Sequence, residues 1–117
     1  MASMGLSIDE QKAVERFKTD VVEPSMSKLV ILDFYADWCG PCQMQLPVVE
    51  ELSNKYADQV EVLKINVDEQ PDIAQAFGVR SIPALFLLQN QQVVDKMVGY
   101  QSQQVLENKL AELAITA

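Results

Sequence analysis

Residues Leu29 to Tyr35 (LVILDFY) form a nearly continuous apolar run rich in branched side chains, interrupted only by Asp33. Such a run predicts a strand covered on both faces. Val60 to Val67 and Ala84 to Leu88 predict two further strands, and Val93 to Val98 pairs back on the latter through a turn at Gln89 to Gln92. Helical spacing fills the intervals. Ser7 to Val22 predicts a helix, with Ser7 and Glu10 at capping-box spacing and Val14, Phe17 and Val21 on one stripe. A second helix follows Trp38 to Cys42 (WCGPC) and runs to about Tyr56, with Leu46, Val49, Leu52 and Tyr56 as its apolar stripe. Pro47 lies inside it, where a missing N–H should kink it. A short helix opens at Pro71 and Asp72 and ends at Phe77, with Gly78 as its terminator. Ser102 caps a last helix whose Leu106, Leu110 and Leu113 face inward.

The resulting order, (β)αβαβαββα, predicts an α/β fold with a single mixed sheet and helices on both faces. Strand–helix–strand units imply parallel crossovers, so the expected core is mostly parallel, with an antiparallel hairpin at its C-terminal end. No repeat or linker divides residues 1–117, and one domain is expected. Met4, Leu6 and Ile8 alternate faintly, as a short edge strand would. Residues 1–6 are otherwise expected to be disordered or foreign to the domain, with Met4 as a candidate start.

Charge and cysteine content narrow the chemistry. Seventeen acidic residues against nine basic ones leave a net charge of −8, which repels phosphate backbones and anionic lipid. Nucleic acid and membrane are therefore not expected partners. No apolar run is long enough to span a bilayer and no leader pattern is visible at the N-terminus, so a cytoplasmic location is expected. There is no histidine, which excludes Ser-His-Asp and Cys-His nucleophile systems. Two cysteines do not complete a zinc tetrahedron or a multi-disulfide scaffold, and no metal or other cofactor is expected.

Cys39 and Cys42 stand where a buried strand passes into a helix, the setting in which a Cys-x-x-Cys pair reads as redox-active. An i, i+3 pair in a first helical turn lies about 5–6 Å apart, within disulfide range. The free N–H groups and dipole of the helix stabilise a thiolate on Cys39. Gly40 lets backbone approach a partner, and Pro41 fits the first turn because its missing N–H costs nothing there. Asp33, flanked by apolar neighbours, would hold its proton tightly if buried and could take the proton of Cys42; the alternative is a strand-end charge that reaches solvent. Trp38, beside an exposed reactive pair, suits a partner-facing surface better than a core. Pro83 fits a central strand only at its start.

The run FYADWCGPC, Phe34 to Cys42, resembles the active-site signature of the thioredoxin family, and the likeness extends from about Ile8 to Leu113. The resemblance implies that Ile82-Pro83 is a cis-proline site lying against the two sulfurs. It further implies that Asp33 is the buried aspartate beneath them, Lys64 the lysine paired with it, Pro47 the helix kink, and Gly99 the glycine lining the target groove. Trp38, Gly40, Pro41, Ile82, Pro83, Gly99 and Tyr100 would then form the target-binding surface. For Lys64, an outward-facing strand lysine is an equally ordinary reading. Tyr35, Gln43, Gln91 and Tyr100 depart from the common bacterial pattern, and Gln43 and Tyr100 bear on partner preference.

The implied activity is protein-disulfide reduction in cell redox homeostasis, by a monomer acting on disulfide-containing target proteins. Cys39 attacks, Cys42 resolves the mixed disulfide, and an NADPH-dependent flavoprotein reductase restores the dithiol. Gly40-Pro41 places no charge between the sulfurs, which favours a reductant over an oxidase or isomerase. A carrier dedicated to one enzyme would share these motifs, and a binding or chaperone subunit would use the fold without turnover.

Overall fold

The computed structural model describes residue 17 and residues 23–115. The expected edge strand and the Ser7–Val22 helix lie outside these, apart from Phe17, which is helical. A 3-10 turn at Pro24–Met26 leads into β1 (Leu29–Tyr35). Then follow α1 (Gly40–Lys55), β2 (Val60–Asn66), α2 (Pro71–Ala76), β3 (Ala84–Gln89), β4 (Gln92–Val98) and α3 (Gln103–Glu112).

The described strands form one mixed sheet in the order β2-β1-β3-β4. β2 runs parallel to β1, but β3 runs antiparallel to it, with Phe34 opposite Ala84 and Val30 opposite Leu88. β3 and β4 form the expected antiparallel hairpin. The sheet is therefore mixed as expected, but less parallel than the strand–helix–strand pattern implies. β3 begins at the end of the sheet where β2 stops, since Asn66 lies opposite Tyr35 and Ala84 opposite Phe34.

Both faces of β1 are covered, which accounts for its unbroken hydrophobicity. Leu29 and Ile31 join Val49, Leu52 and Tyr56 of the α1 region and Leu106 and Leu110 of α3 in one core layer. Val30, Leu32 and Phe34 face the other way, onto Ile73 and Ala74 of α2. There Phe77 packs between Phe17, Phe34 and Phe86, with ring centroids 5.0–5.5 Å away. Glu107 of α3 accepts hydrogen bonds from Tyr56 and Lys55 at 2.6 Å each, tying α3 to the end of α1.

Local chemistry ends the elements where the residue types require. Gly78 (φ 66°) closes α2, with its N–H bonded to Gln75 and that of Val79 to Ala74, a Schellman cap. The Ser102 hydroxyl accepts from the Val105 N–H. The hairpin turn places Asn90 at φ 51° and Gln91 at φ 67°, as a two-residue type I′ turn demands. Ser25 steadies it by accepting from both turn amides, at 2.7 Å through its carbonyl and 3.0 Å through its hydroxyl. A side chain at positive φ costs about 1 kcal/mol, part of which glycine returns as unfolded-state entropy. Gln91→Gly should therefore raise the unfolding free energy by somewhat under about 1 kcal/mol with activity unchanged. Chemical denaturation checks this, and a lower midpoint would contradict it.

Candidate active site

The site lies at the C-terminal end of β1, where four residues carry the chain into α1. Cys39 is the N-cap of α1, in extended conformation, and its sulfur accepts the Cys42 N–H at 3.2 Å. Gly40 and Pro41 occupy the first helical positions, so the proline forfeits no bond. Cys39 and Cys42 are joined by a disulfide, with Cα atoms 5.3 Å apart. The pair is less open than the sequence suggested. Cys39 keeps 5% of its surface accessible and Cys42 none, because Tyr35, Val67 and Ile82 pack around them with Ala36.

Ile82-Pro83 is a cis bond immediately before β3, and the Ile82 carbonyl oxygen lies 3.8 Å from the Cys39 sulfur. Pro83 is buried and Ile82 half-buried. Gly99 (φ 88°) follows β4, and its N–H donates to the Pro83 carbonyl at 2.8 Å. A glycine is required at that φ. Gly40 differs: its φ is ordinary and an added Cβ would meet nothing within 4 Å. The fold therefore does not demand glycine there. Trp38 is 72% exposed, yet its indole N–H donates to Asp68 at 2.9 Å, which fixes a large apolar face beside the sulfurs. Tyr100 is exposed next to Gly99. The structure thus links Cys39 to Ile82, whose neighbour Pro83 is bonded to Gly99, while Trp38 and Gly40 flank Cys39 in the chain.

Asp33 continues the row Leu29, Ile31 that lies under α1. Asp33 is fully buried, and neither carboxylate oxygen has a hydrogen-bond partner among the described residues. Burial pushes it well above the ordinary carboxylate value of 3.8, to about 7, while the positive charge of Lys64 pulls in the opposite direction. The expectation that Lys64 pairs with Asp33 needs correction. The two are register neighbours across β1 and β2, but the Lys64 ammonium is bonded to Glu50 of α1 at 2.8 Å. The long lysine chain reaches an exposed carboxylate instead of desolvating its charge beside Asp33.

Three further residues brace the surroundings of the site without having been singled out from sequence. Asp68 holds Trp38, and Asn66 builds the turn that presents it by accepting from the Asp68 N–H. Gln45 is fully buried one turn beyond Cys42. Its side chain donates to the Gln101 carbonyl at 2.9 Å and accepts from the Gln101 N–H at 2.7 Å. The buried stripe of α1 is Cys42, Gln45, Val49 and Leu52, so Gln45 fills a place to which Leu46 seemed better suited. The spacing 42, 45, 49, 52 was the available signal.

The thioredoxin family pattern matches residues 9–112. The chain belongs to the thioredoxin family. It is 47% identical over 94 residues to thioredoxin 1 of Synechococcus elongatus, covering 80% of this chain and 86% of that one. It is 46% identical over 86 residues to a thioredoxin of Alicyclobacillus acidocaldarius (74% and 82%). Against a thioredoxin of Chlorobaculum thiosulfatiphilum it is 40% identical over 98 residues (84% and 89%). As in a thioredoxin, the Cys-x-x-Cys pair is a closed disulfide at a helix N-terminus, and the protein is a thiol–disulfide oxidoreductase. No described helix is long and apolar enough to cross a membrane.

Proposed function

We propose that Cys39 is the attacking sulfur, Cys42 the resolving sulfur and Asp33 the proton acceptor in reduction of disulfides on target proteins. The observation that carries this is the N-cap position of Cys39, whose sulfur receives the Cys42 N–H at the positive end of α1. A negative sulfur is favoured there by both the hydrogen bond and the helix dipole. The Cys39 thiolate attacks one sulfur of the target disulfide, and the other target sulfur leaves as a thiolate and takes a proton. Asp33, whose proton affinity burial raises to a pKa of about 7, accepts the proton of Cys42. The Cys42 thiolate then attacks the Cys39 sulfur, the target's remaining sulfur departs, and two electrons have passed to the target. Lys64 acts at a distance, its charge moderating the proton affinity of Asp33.

Trp38, Gly40, Pro41, Ile82, Pro83, Gly99 and Tyr100 form the surface that receives the target. The bare backbone at Gly40 and Gly99 admits an extended segment, and the two aromatic faces flank it. Tyr100→Ala should accordingly change the Michaelis constant for protein substrates severalfold while altering the rate with a small disulfide far less. Equal effects on both substrates would place Tyr100 in the sulfur chemistry instead.

A flavoprotein using NADPH is the proposed source of electrons, since no group of this chain supplies them. The proposed setting is the reducing cytoplasm, in keeping with a chain whose two cysteines form a redox-active pair and no structural framework. The test is reduction of insulin disulfides by the purified protein, driven first by dithiothreitol and then by NADPH with a thioredoxin reductase. Turnover in both is expected. Turnover with dithiothreitol alone would remove the reductase from the proposal, and none in either would remove protein-disulfide reduction.

A further inference from the structure

Gln45 is a buried amide in a helix stripe that a hydrophobic side chain would fill without polar atoms to satisfy. Both of its polar ends are used, and both go to the backbone of one residue, Gln101. The Gln101 side chain in turn donates to the carbonyls of Gly99 at 3.1 Å and Val98 at 3.3 Å. Gly99 donates to Pro83 at 2.8 Å, and the adjoining Ile82 carbonyl lies 3.8 Å from the Cys39 sulfur. These contacts close a ring around the target surface: from the disulfide along one turn of α1 to Gln45, then through Gln101, Gly99, Pro83 and Ile82 back to Cys39.

We propose that Gln45 is a positioning residue that ties the Gly99–Gln101 wall of the target groove to the helix carrying both sulfurs, and so sets how tightly a protein disulfide is held. The proposal rests on the reading that Cys39 and Cys42 reduce protein disulfides. Beyond the last strand the Gly99–Pro83 bond continues the pairing for one step, and Gln101 lies past it. The Gln45 amide takes over at Gln101 and orders the wall before a target arrives, so less ordering remains to oppose binding. Gln45 makes no hydrogen bond to either sulfur and leaves their reactivity unchanged.

The test compares the unmodified protein with Gln45→Met, which keeps volume and helix preference but removes both bonds. With dithiothreitol as reductant, the Michaelis constant for insulin should rise about fivefold or more, with kcat within about twofold. The rate with 5,5′-dithiobis(2-nitrobenzoate), which needs only the sulfurs, should stay within about twofold. In the unmodified protein, the Gln101 amide should exchange its hydrogen at least about a hundredfold more slowly than in an unstructured chain. An unchanged Michaelis constant, a parallel fall in the small-disulfide rate, or an unprotected Gln101 amide would each overturn the positioning role. Failure of the unmodified protein to reduce insulin would overturn the underlying reading, and the positioning role with it.

Discussion

Cys39→Ser should lower disulfide reduction by at least about a thousandfold, with both insulin and a small disulfide as substrate. A serine hydroxyl at the N-cap keeps the structural bond, since its oxygen can accept the Cys42 N–H as the sulfur does. It does not ionise near neutral pH and cannot form a mixed disulfide. Helix and fold should therefore persist while the chemistry disappears, which separates loss of function from loss of structure. Cys42 cannot substitute, because it has no accessible surface whereas Cys39 retains 5%. Circular dichroism and the two assays on one preparation check this. Activity above about a tenth of the original would mean that Cys42 can attack from its buried position.

Asp33→Ala should stabilise the protein at neutral pH and slow its turnover. The folded state holds the Asp33 proton up to about pH 7, whereas the unfolded chain releases it near 3.8. Its contribution to stability is thus greatest below the unfolded value and is lost as pH rises toward 7, by up to about 4 kcal/mol. Above that the ionised carboxylate remains buried without a hydrogen bond, and the loss is constant. Alanine removes this penalty but leaves a small cavity, so a net gain of about 1–3 kcal/mol is expected at pH 8 and little or none at pH 4. Urea unfolding at the two pH values measures it. A mutant less stable at pH 8 would mean that Asp33 is ionised and well paired, and the proton-acceptor role would fall. The same mutant should resolve mixed disulfides more slowly at pH 7, because Cys42 has lost its base.

Much of this arrangement was legible in the residues because local and global signals agree. The LVILDFY run, the Gly78 terminator, the Ser102 cap and the positive-φ pair at Asn90 and Gln91 each follow from near neighbours in the chain. So does the disulfide: Cys39 and Cys42 are brought together by one turn of α1. What was not legible depends on partners distant in sequence. The direction of β3 shows only in its pairing with β1, a strand far away in the chain. The ammonium of Lys64 has Glu50 within reach as well as Asp33, and the choice depends on which contact stays hydrated. Gln45 and Asp68 are polar residues whose partners, Gln101 and Trp38, lie 56 and 30 positions away. No periodicity announces those bonds, although the place of Gln45 on the α1 stripe marked it as a buried polar group in need of one.

The division of labour between the two sulfurs is tested most directly by trapping. Cys42→Ser, reduced and then mixed with an oxidised target protein, should attack through Cys39 and stop, since no thiol remains to resolve the intermediate. A covalent one-to-one adduct should accumulate, joined through Cys39 and released by dithiothreitol, and mass spectrometry of the intact and digested adduct identifies the linkage. Cys39→Ser under the same conditions should give none. Adducts from Cys39→Ser and none from Cys42→Ser would contradict the assignment, because Cys42 would then be the attacking sulfur.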